Sequence, residues 1–397
     1  MLYTTLDRLK MKVMYAHLNS LKLFSYYLLL ATTLMTLAIV LAFGVHRFSS
    51  FNLTLTPPKQ LHALTKPSII SNGRLPVLAN NIRSSDYLIQ SDEMQGIMSD
   101  EELMRRAASM IPETEKTVPK TVPKIAFLFL IKGSLPLAPL WEEFFKGHQG
   151  FYSIYVHSDA SAYNYFRELE TGVFRGRTIP SKEVEWAKFS MVEAELRLTA
   201  NALLDISNQR FVLLSESCIP LFNFTAIYSY LMNSTKTYVD AYDLVGHVGR
   251  GRYKRGLYPN VTLRQWRKGS QWFEMDRELA VKVISDQSYF NLFKGVCESS
   301  WYPCCADEHY LPTWVDIHYR ARNSNRSLTW ADWSAGGAHP AMYMNVNITA
   351  ELLEKLRSNQ TCVYNGMTSN ICYLFARKFA PNTLDKLLTL APQVLSF

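Results

Sequence analysis

The chain has 397 residues, six cysteines and a formal net charge of +8 at pH 7. A positive excess of this size would suit a nucleic-acid partner. The luminal placement inferred below argues against a nucleic-acid partner. Part of the positive excess lies in a short N-terminal tail and part in one basic stretch.

Residues 23–45 form an uncharged apolar run, LFSYYLLLATTLMTLAIVLAFGV. At about 1.5 Å per residue a helix of this length crosses the roughly 30 Å hydrocarbon core of a bilayer. A buried core helix would normally carry a polar face, and a cleaved signal peptide would have a shorter apolar region. Basic residues at 8, 10, 12 and 22 precede the run against a single acid, so the positive-inside rule keeps residues 1–22 in the cytosol. The sequence therefore predicts a type II signal anchor with a luminal C-terminal body.

Glycosylation sequons and cysteines agree with this topology, because all of them follow the apolar run. An oxidising lumen favours disulfides, and although fifteen full pairings are possible, Cys362 with Cys372 is favoured since it closes a short loop. The seven Asn-x-Ser/Thr sequons begin at Asn52, Asn223, Asn233, Asn260, Asn325, Asn347 and Asn359.

Residues 46–120 have the composition of a luminal stem that is partly disordered. They contain Pro57-Pro58 and the near-repeat TVPKTVPK at 117–124, which cannot continue a regular helix. One short helix is predicted within the stem, where Ser99 and Glu102 fit a capping box.

From residue 121 to residue 397 the pattern becomes that of one large α/β domain. Strands are predicted at 125–131, 152–157 and 211–215, and helices at 137–147, 189–205 and 224–233. Alternation of strands with helices predicts a mixed, mostly parallel sheet flanked by helices. Ligands bind beyond the carboxyl ends of the strands in such sheets, so the residues that follow each strand are the first candidates for a site.

Three polar segments follow these strands, at 132–134, 157–159 and 215–220. The carboxylates of Asp159 and Glu216 could accept hydrogen bonds from the hydroxyls of a ribose or sugar ring. The alternative is that both carboxylates cap the turns that follow.

Asp307 and Glu308 stand at the start of another predicted helix, where the helix dipole favours acids. Either they only cap this helix, or one of them is a general base. A glycosidase would need a second, opposed carboxylate, and no such pair is visible. A zinc site of Cys304, Cys305 and His309 is disfavoured because the cysteines are adjacent and the lumen promotes disulfides.

A basic stretch runs from residue 250 to residue 268 and is interleaved with aromatic residues. It is either a solvated loop or a groove for an anionic ligand such as a pyrophosphate or an acidic polysaccharide. Arg377-Lys378 could add cations to a phosphate site. Trp272, Trp301 and Trp333 are candidate sugar platforms or structural tryptophans.

Taken in order, these segments resemble the plant core-2/I-branching β-1,6-N-acetylglucosaminyltransferase-like proteins, related to glycosyltransferase family 14. The resemblance covers roughly residue 124 to the C-terminus. The matching motifs are IAFLFLIKG, YVHSD, EWAKFSMVEAE, FVLLSESCIPL, GSQWFEMDRELA, ADEHYLPT, LTWADWS, TCVYNG and LFARKF.

The resemblance implies a GT-A-like fold, inverting chemistry with a UDP-sugar donor and a glycan acceptor, and residence in the Golgi membrane. It implies Glu308 as the catalytic base, His157 and Asp159 at the uridine, and Lys378 at the diphosphate without a metal or other cofactor. Consistent with that, the chain contains no Asp-x-Asp triplet. The family arginine before the cysteine that matches Cys362 is missing, and Arg377 or a residue of the basic stretch is the candidate replacement. Glu216, Trp272 and Asp307 are expected to bind the acceptor or the sugar.

The donor sugar stays open, with the N-acetylglucosamine and glucuronic acid types and others as candidates. The acceptor is also open, with a cell-wall polysaccharide or an arabinogalactan-type glycoprotein as candidates. The competing hypothesis is a catalytically silent, membrane-tethered protein of the same fold that binds glycans or acts as a scaffold.

Overall fold

A computed structural model describes residues 98–110, 121–158, 172–300, 302, 304–358 and 360–397. The predicted cytosolic tail, the apolar run at 23–45 and most of the predicted stem lie outside these residues. Within the described ranges, no helix is long and apolar enough to cross a membrane. Every described residue belongs to one unit of the chain, Asn81–Phe397.

The main sheet has four strands in the order β2-β1-β3-β5. β1 pairs in parallel with both β2 and β3, and β5 joins β3 antiparallel. Its strands are β1 (Lys124–Ile131), β2 (Tyr152–Ser158), β3 (Asn208–Leu214) and β5 (Glu274–Asp276).

Two smaller sheets complete the strand set of the described chain. In the first, β9 pairs antiparallel with β4 and in parallel with β6, and in the second β7 and β8 form a hairpin. These strands are β4 (Ile219–Pro220), β6 (Thr329–Ala331), β7 (Cys362–Tyr364), β8 (Met367–Ser369) and β9 (Phe375–Arg377).

Nine α-helices surround the sheets in the described residues. They are α1 (Asp100–Ser109), α2 (Ala138–Phe145), α3 (Ser190–Leu203), α4 (Phe224–Met232), α5 (Arg277–Ser285), α6 (Gln287–Glu298), α7 (Tyr310–His318), α8 (Ala350–Ser358) and α9 (Leu384–Leu390). The prediction of a parallel sheet with flanking helices is confirmed. The predicted strands and helices between 125 and 233 are found with ends shifted by up to three residues.

The strand β1 shows why its sequence is apolar at every position. Ala126, Leu128 and Leu130 join a core on one face of the sheet, with α3, α5 and α7. Phe127 and Phe129 join a second core on the opposite face, with α2, α4 and α9. Since successive side chains of a strand point to opposite faces, a strand covered on both faces must be hydrophobic throughout.

The helix α1, predicted within the stem, packs on this body. Ser99 caps it by accepting a hydrogen bond from the amide of Glu102 at 3.2 Å. Leu103 and Ala107 are 7% and 0% exposed and belong to the same core as α3. Burial of this apolar stripe is what stabilises so short a helix.

Candidate active site

Glu308 ends a short 3-10 turn, Ala306–Glu308, that leads directly into α7. Its Oε2 lies 2.5 Å from a terminal nitrogen of Arg252 and 3.0 Å from Nζ of Lys268. The Glu308 side chain keeps 21% of its surface exposed, so a small molecule can reach it. The basic stretch therefore supplies two cations to the carboxylate that the sequence singled out.

Gly269 makes the approach of Lys268 to Glu308 possible. Its amide donates a hydrogen bond to the carbonyl oxygen of Glu308 at 2.9 Å. A Cβ atom at this position would lie 1.8 Å from the backbone oxygen of Asp240, so a larger residue would displace one of the two chains. Close backbone contact is a frequent reason for glycine at a site.

Asp307, the neighbour of Glu308, has one carboxylate oxygen buried in the interior. The residue is partly exposed, but its Oδ1 is fully buried and has no hydrogen-bond partner among the described residues. Burial, with a further contribution from the charge of Glu308, raises the pKa of Asp307 to about 7. Burial and the charge of Asp307 also raise the pKa of Glu195, a residue of α3 that accepts a hydrogen bond from Gln271 at 2.8 Å.

Replacing Asp307 by asparagine is expected to stabilise the protein at alkaline pH. Because its folded-state pKa is raised, this carboxyl destabilises the fold increasingly as pH rises from about 4 to about 7. One pKa unit corresponds to about 1.4 kcal/mol, so the gain from Asp307→Asn is on the order of 3 kcal/mol near pH 8 and close to zero near pH 4. Urea unfolding at both pH values measures it.

The matched control is Glu183→Gln, which removes an exposed carboxylate. It should leave the pH dependence of the unfolding free energy unchanged. A stability gain of Asp307→Asn that is equal at both pH values would contradict the assignment of a raised pKa.

A second group of predicted residues meets around the ring of Trp272. The guanidinium carbon of Arg377 lies 4.0 Å from the centre of this ring, and only 7% of Trp272 is exposed. Arg377 also interacts electrostatically with Glu216, which lies in the loop between β3 and β4. Lys378 follows at the end of β9, is partly exposed, and forms no ion pair within the described residues. Residues 266–272 link the two groups along the chain, because Lys268 contacts Glu308 and Trp272 contacts Arg377.

His157 lies at the carboxyl end of β2 and is fully buried. Its Nε2 is 2.9 Å from a nitrogen of Arg197 in α3. Asp159, its predicted companion at a nucleotide, lies outside the described residues, as does Trp301. Trp333 is 48% exposed.

Three more residues of the basic stretch have partners, two of them acids and one an aromatic ring. Arg250 contacts Asp243, Arg267 lies 2.9 Å from Asp316, and Lys254 stands over the ring of Tyr302. The sequence hypotheses of a solvated loop or an anion groove did not include these pairs, and the partner of Arg267 lies on another element, the helix α7.

The disulfide between Cys362 and Cys372 is present, as the sequence favoured. A second bond joins Cys297 to Cys304, while Cys218 and Cys305 are free and buried. His309 donates from Nδ1 to the backbone oxygen of Arg267 at 2.8 Å and stacks on Trp266. In the described part of the chain, no group of three potential ligands could hold a metal ion.

Most of the described sequon asparagines are accessible. Asn233, Asn260, Asn325 and Asn347 are exposed. Asn223 is partly buried and caps α4 by accepting a hydrogen bond from the amide of Ala226 at 2.9 Å. Asn52 and Asn359 lie outside the described residues.

Sequence reasoning missed three residues near the site. Glu195 and Arg197 lie in a predicted helix and carry no local sign of burial, yet they are 3% and 4% exposed. Gln271 lies in a segment noted only for its tryptophan. The one available signal was the position of Glu195 in the motif EWAKFSMVEAE, which includes neither Arg197 nor Gln271.

The site combines a partly exposed, charge-paired carboxylate, Glu308, with a further cation, Lys378, just beyond a strand end. In an α/β fold this is the arrangement of an enzyme site. The family model for the core-2/I-branching enzymes matches residues 125–357. The glycosyltransferase BC10 of Oryza sativa subsp. japonica is 32% identical over 318 residues, covering 70% of this chain and 79% of that protein. The chain belongs to the core-2/I-branching enzyme family, among the plant proteins related to glycosyltransferase family 14, and is a glycosyltransferase.

Proposed function

We propose that this chain is an inverting glycosyltransferase of the Golgi membrane with a GT-A-like body. It moves a sugar of the N-acetylglucosamine or glucuronic acid type from a UDP donor to a hydroxyl of a glycan. The name of its rice relative, a glycosyltransferase, supports the reaction class.

The observation that carries this proposal is the placement of Glu308. Inverting transfer needs one base that takes the proton of the acceptor hydroxyl while its oxygen attacks the anomeric carbon. Glu308 is reachable from solvent and fixed by Arg252 and Lys268, whereas its neighbour Asp307 has one carboxylate oxygen buried in the interior. An acceptor hydroxyl can replace one of the two cations at Oε2 and so come within hydrogen-bond reach of the base.

The departing diphosphate needs positive charge that is not already neutralised. Lys378 is the best candidate, since it is partly exposed and unpaired within the described residues, and Arg377 adjoins it. These cations would take the place that a divalent metal occupies in enzymes with an Asp-x-Asp triplet. His157 and Asp159 would hold the uridine end, and Glu216 and Trp272 would line the sugar side.

The proposed topology is a cytosolic tail at 1–22, an anchor at 23–45, a stem at 46–120 and a luminal catalytic domain at 121–397. The exposed sequons at Asn233, Asn260, Asn325 and Asn347 support a luminal body. The Cys297–Cys304 and Cys362–Cys372 bonds support an oxidising compartment.

The test is a screen for UDP release by the full-length chain in detergent micelles, with a panel of UDP-sugars and mixed plant glycans as acceptors. At least one donor is expected to yield UDP only when acceptor is present. The rate should be the same within about twofold with and without EDTA, since the cations at the diphosphate are side chains.

Two results would decide against parts of this proposal. Binding of UDP without release from any donor would favour the silent, glycan-binding alternative. The missing family arginine before Cys362 also favours that alternative. Loss of most activity in EDTA, with recovery on adding a divalent cation, would reject the metal-free mechanism.

A further inference from the structure

The helix α1 contributes a partly buried carboxylate to the body. Asp100, its first residue, accepts hydrogen bonds from Nε and a terminal nitrogen of Arg197 at 3.0 and 2.8 Å. Nζ of Lys182 lies 2.5 Å from the same carboxylate. Asp100 and Arg197 are 97 residues apart, so this ion pair fastens the start of α1 to the middle of α3.

Arg197 is almost completely buried, with 4% of its side chain exposed. A buried guanidinium requires a counter-charge, and Asp100 supplies it in the bidentate geometry that suits arginine. Burial acts to raise the pKa of Asp100, but the hydrogen bonds from Arg197 and Lys182 outweigh it and hold the pKa at about 2. The pair is therefore charged throughout the physiological pH range.

The remaining terminal nitrogen of Arg197 lies 2.9 Å from Nε2 of His157. The backbone amide of Lys182 donates to the same Nε2 at 3.3 Å. A guanidinium and an amide can only donate, so Nε2 is the acceptor and the proton of the neutral ring is on Nδ1. The chain Asp100–Arg197–His157 thus fixes both the orientation and the tautomer of a side chain at the carboxyl end of β2.

We propose that Asp100 is a positioning residue for the nucleoside diphosphate site, acting through Arg197 to hold His157 at the end of β2. This inference rests on the proposed function, which brings the UDP moiety to that strand end. His157 is fully buried, so its part in the proposal is to hold the end of β2 in place rather than to touch the ligand. The segment before the sheet is then part of the site rather than only a spacer.

Calorimetric titration of the full-length chain in detergent with UDP itself tests the proposal. Asp100→Asn keeps the shape of the side chain but removes the charge that holds Arg197, and UDP affinity is expected to fall about tenfold. Glu101→Gln is the matched control, because it removes an exposed charge from the same first turn of α1 and should leave affinity within about twofold.

Leu103→Ala separates positioning from general destabilisation. It removes core packing from α1 without touching the ion pair, so it should lower the melting temperature but not the UDP affinity. Weaker binding by Asp100→Asn alone supports the proposal.

Three results would overturn it. Equal UDP affinity of Asp100→Asn and wild type would reject positioning while leaving the proposed function intact. An affinity loss that Leu103→Ala reproduces would show a merely structural role. Absence of UDP binding by folded wild-type protein would reject the proposed function and this inference together.

Discussion

Replacing Glu308 by glutamine is expected to lower the turnover number for sugar transfer by about 10²- to 10⁴-fold, the usual range for loss of a general base. Glutamine has nearly the same shape and can still accept a hydrogen bond, but it cannot take the proton of the acceptor hydroxyl. The effect should therefore appear in the turnover number, while UDP binding stays close to that of the wild type.

The matched control for this substitution is Asp307→Asn, in the neighbouring residue of the same turn. One carboxylate oxygen of Asp307 is buried in the interior, so its replacement should change turnover by less than about tenfold. Single-turnover measurements with a donor from the UDP-release screen compare the two variants. If Asp307→Asn abolished transfer and Glu308→Gln retained it, the base would be Asp307.

The largest effect on stability is expected from Arg210→Met. Arg210 in β3 donates to both carboxylate oxygens of Glu274 in β5 at 2.6 and 2.8 Å. Their side chains are 7% and 1% exposed. Removing the cation leaves a buried carboxylate unpaired, which costs about 3–5 kcal/mol of the free energy of unfolding.

The loss should depend on pH in a defined direction. Burial raises the pKa of Glu274 to about 7 even with Arg210 beside it. Without Arg210 its pKa rises further, so Glu274 is protonated at about pH 5 and the cost there is smaller than at about pH 8.

Urea unfolding followed by tryptophan fluorescence, with the full-length chain in detergent, measures this difference. The double variant Arg210→Met/Glu274→Leu should recover most of the lost stability, since no buried charge remains. A loss below about 1 kcal/mol for Arg210→Met at both pH values would show that the pair contributes little.

Much of the fold was accessible from sequence because its signals are local. The unbroken apolar run of β1 indicates burial on both faces, and Ser99 with Glu102 marks the start of α1. By contrast β5 has three residues, too few for a periodic pattern, so its antiparallel pairing with β3 was not predicted. The carboxylate Glu308 was identified partly by family resemblance, since its local pattern fits a helix cap equally well.

By itself the sequence determined the alternation of strands and helices, indicated a short helix after Ser99, and favoured the Cys362–Cys372 bond. Each depends on residues within about one turn, strand or short loop of one another. Only the tertiary structure decided which side chains meet: Arg252 with Glu308, Arg377 with the ring of Trp272, and Asp100 with Arg197. These partners are far apart along the chain, so chain folding and desolvation, rather than local preference, determine their pairing.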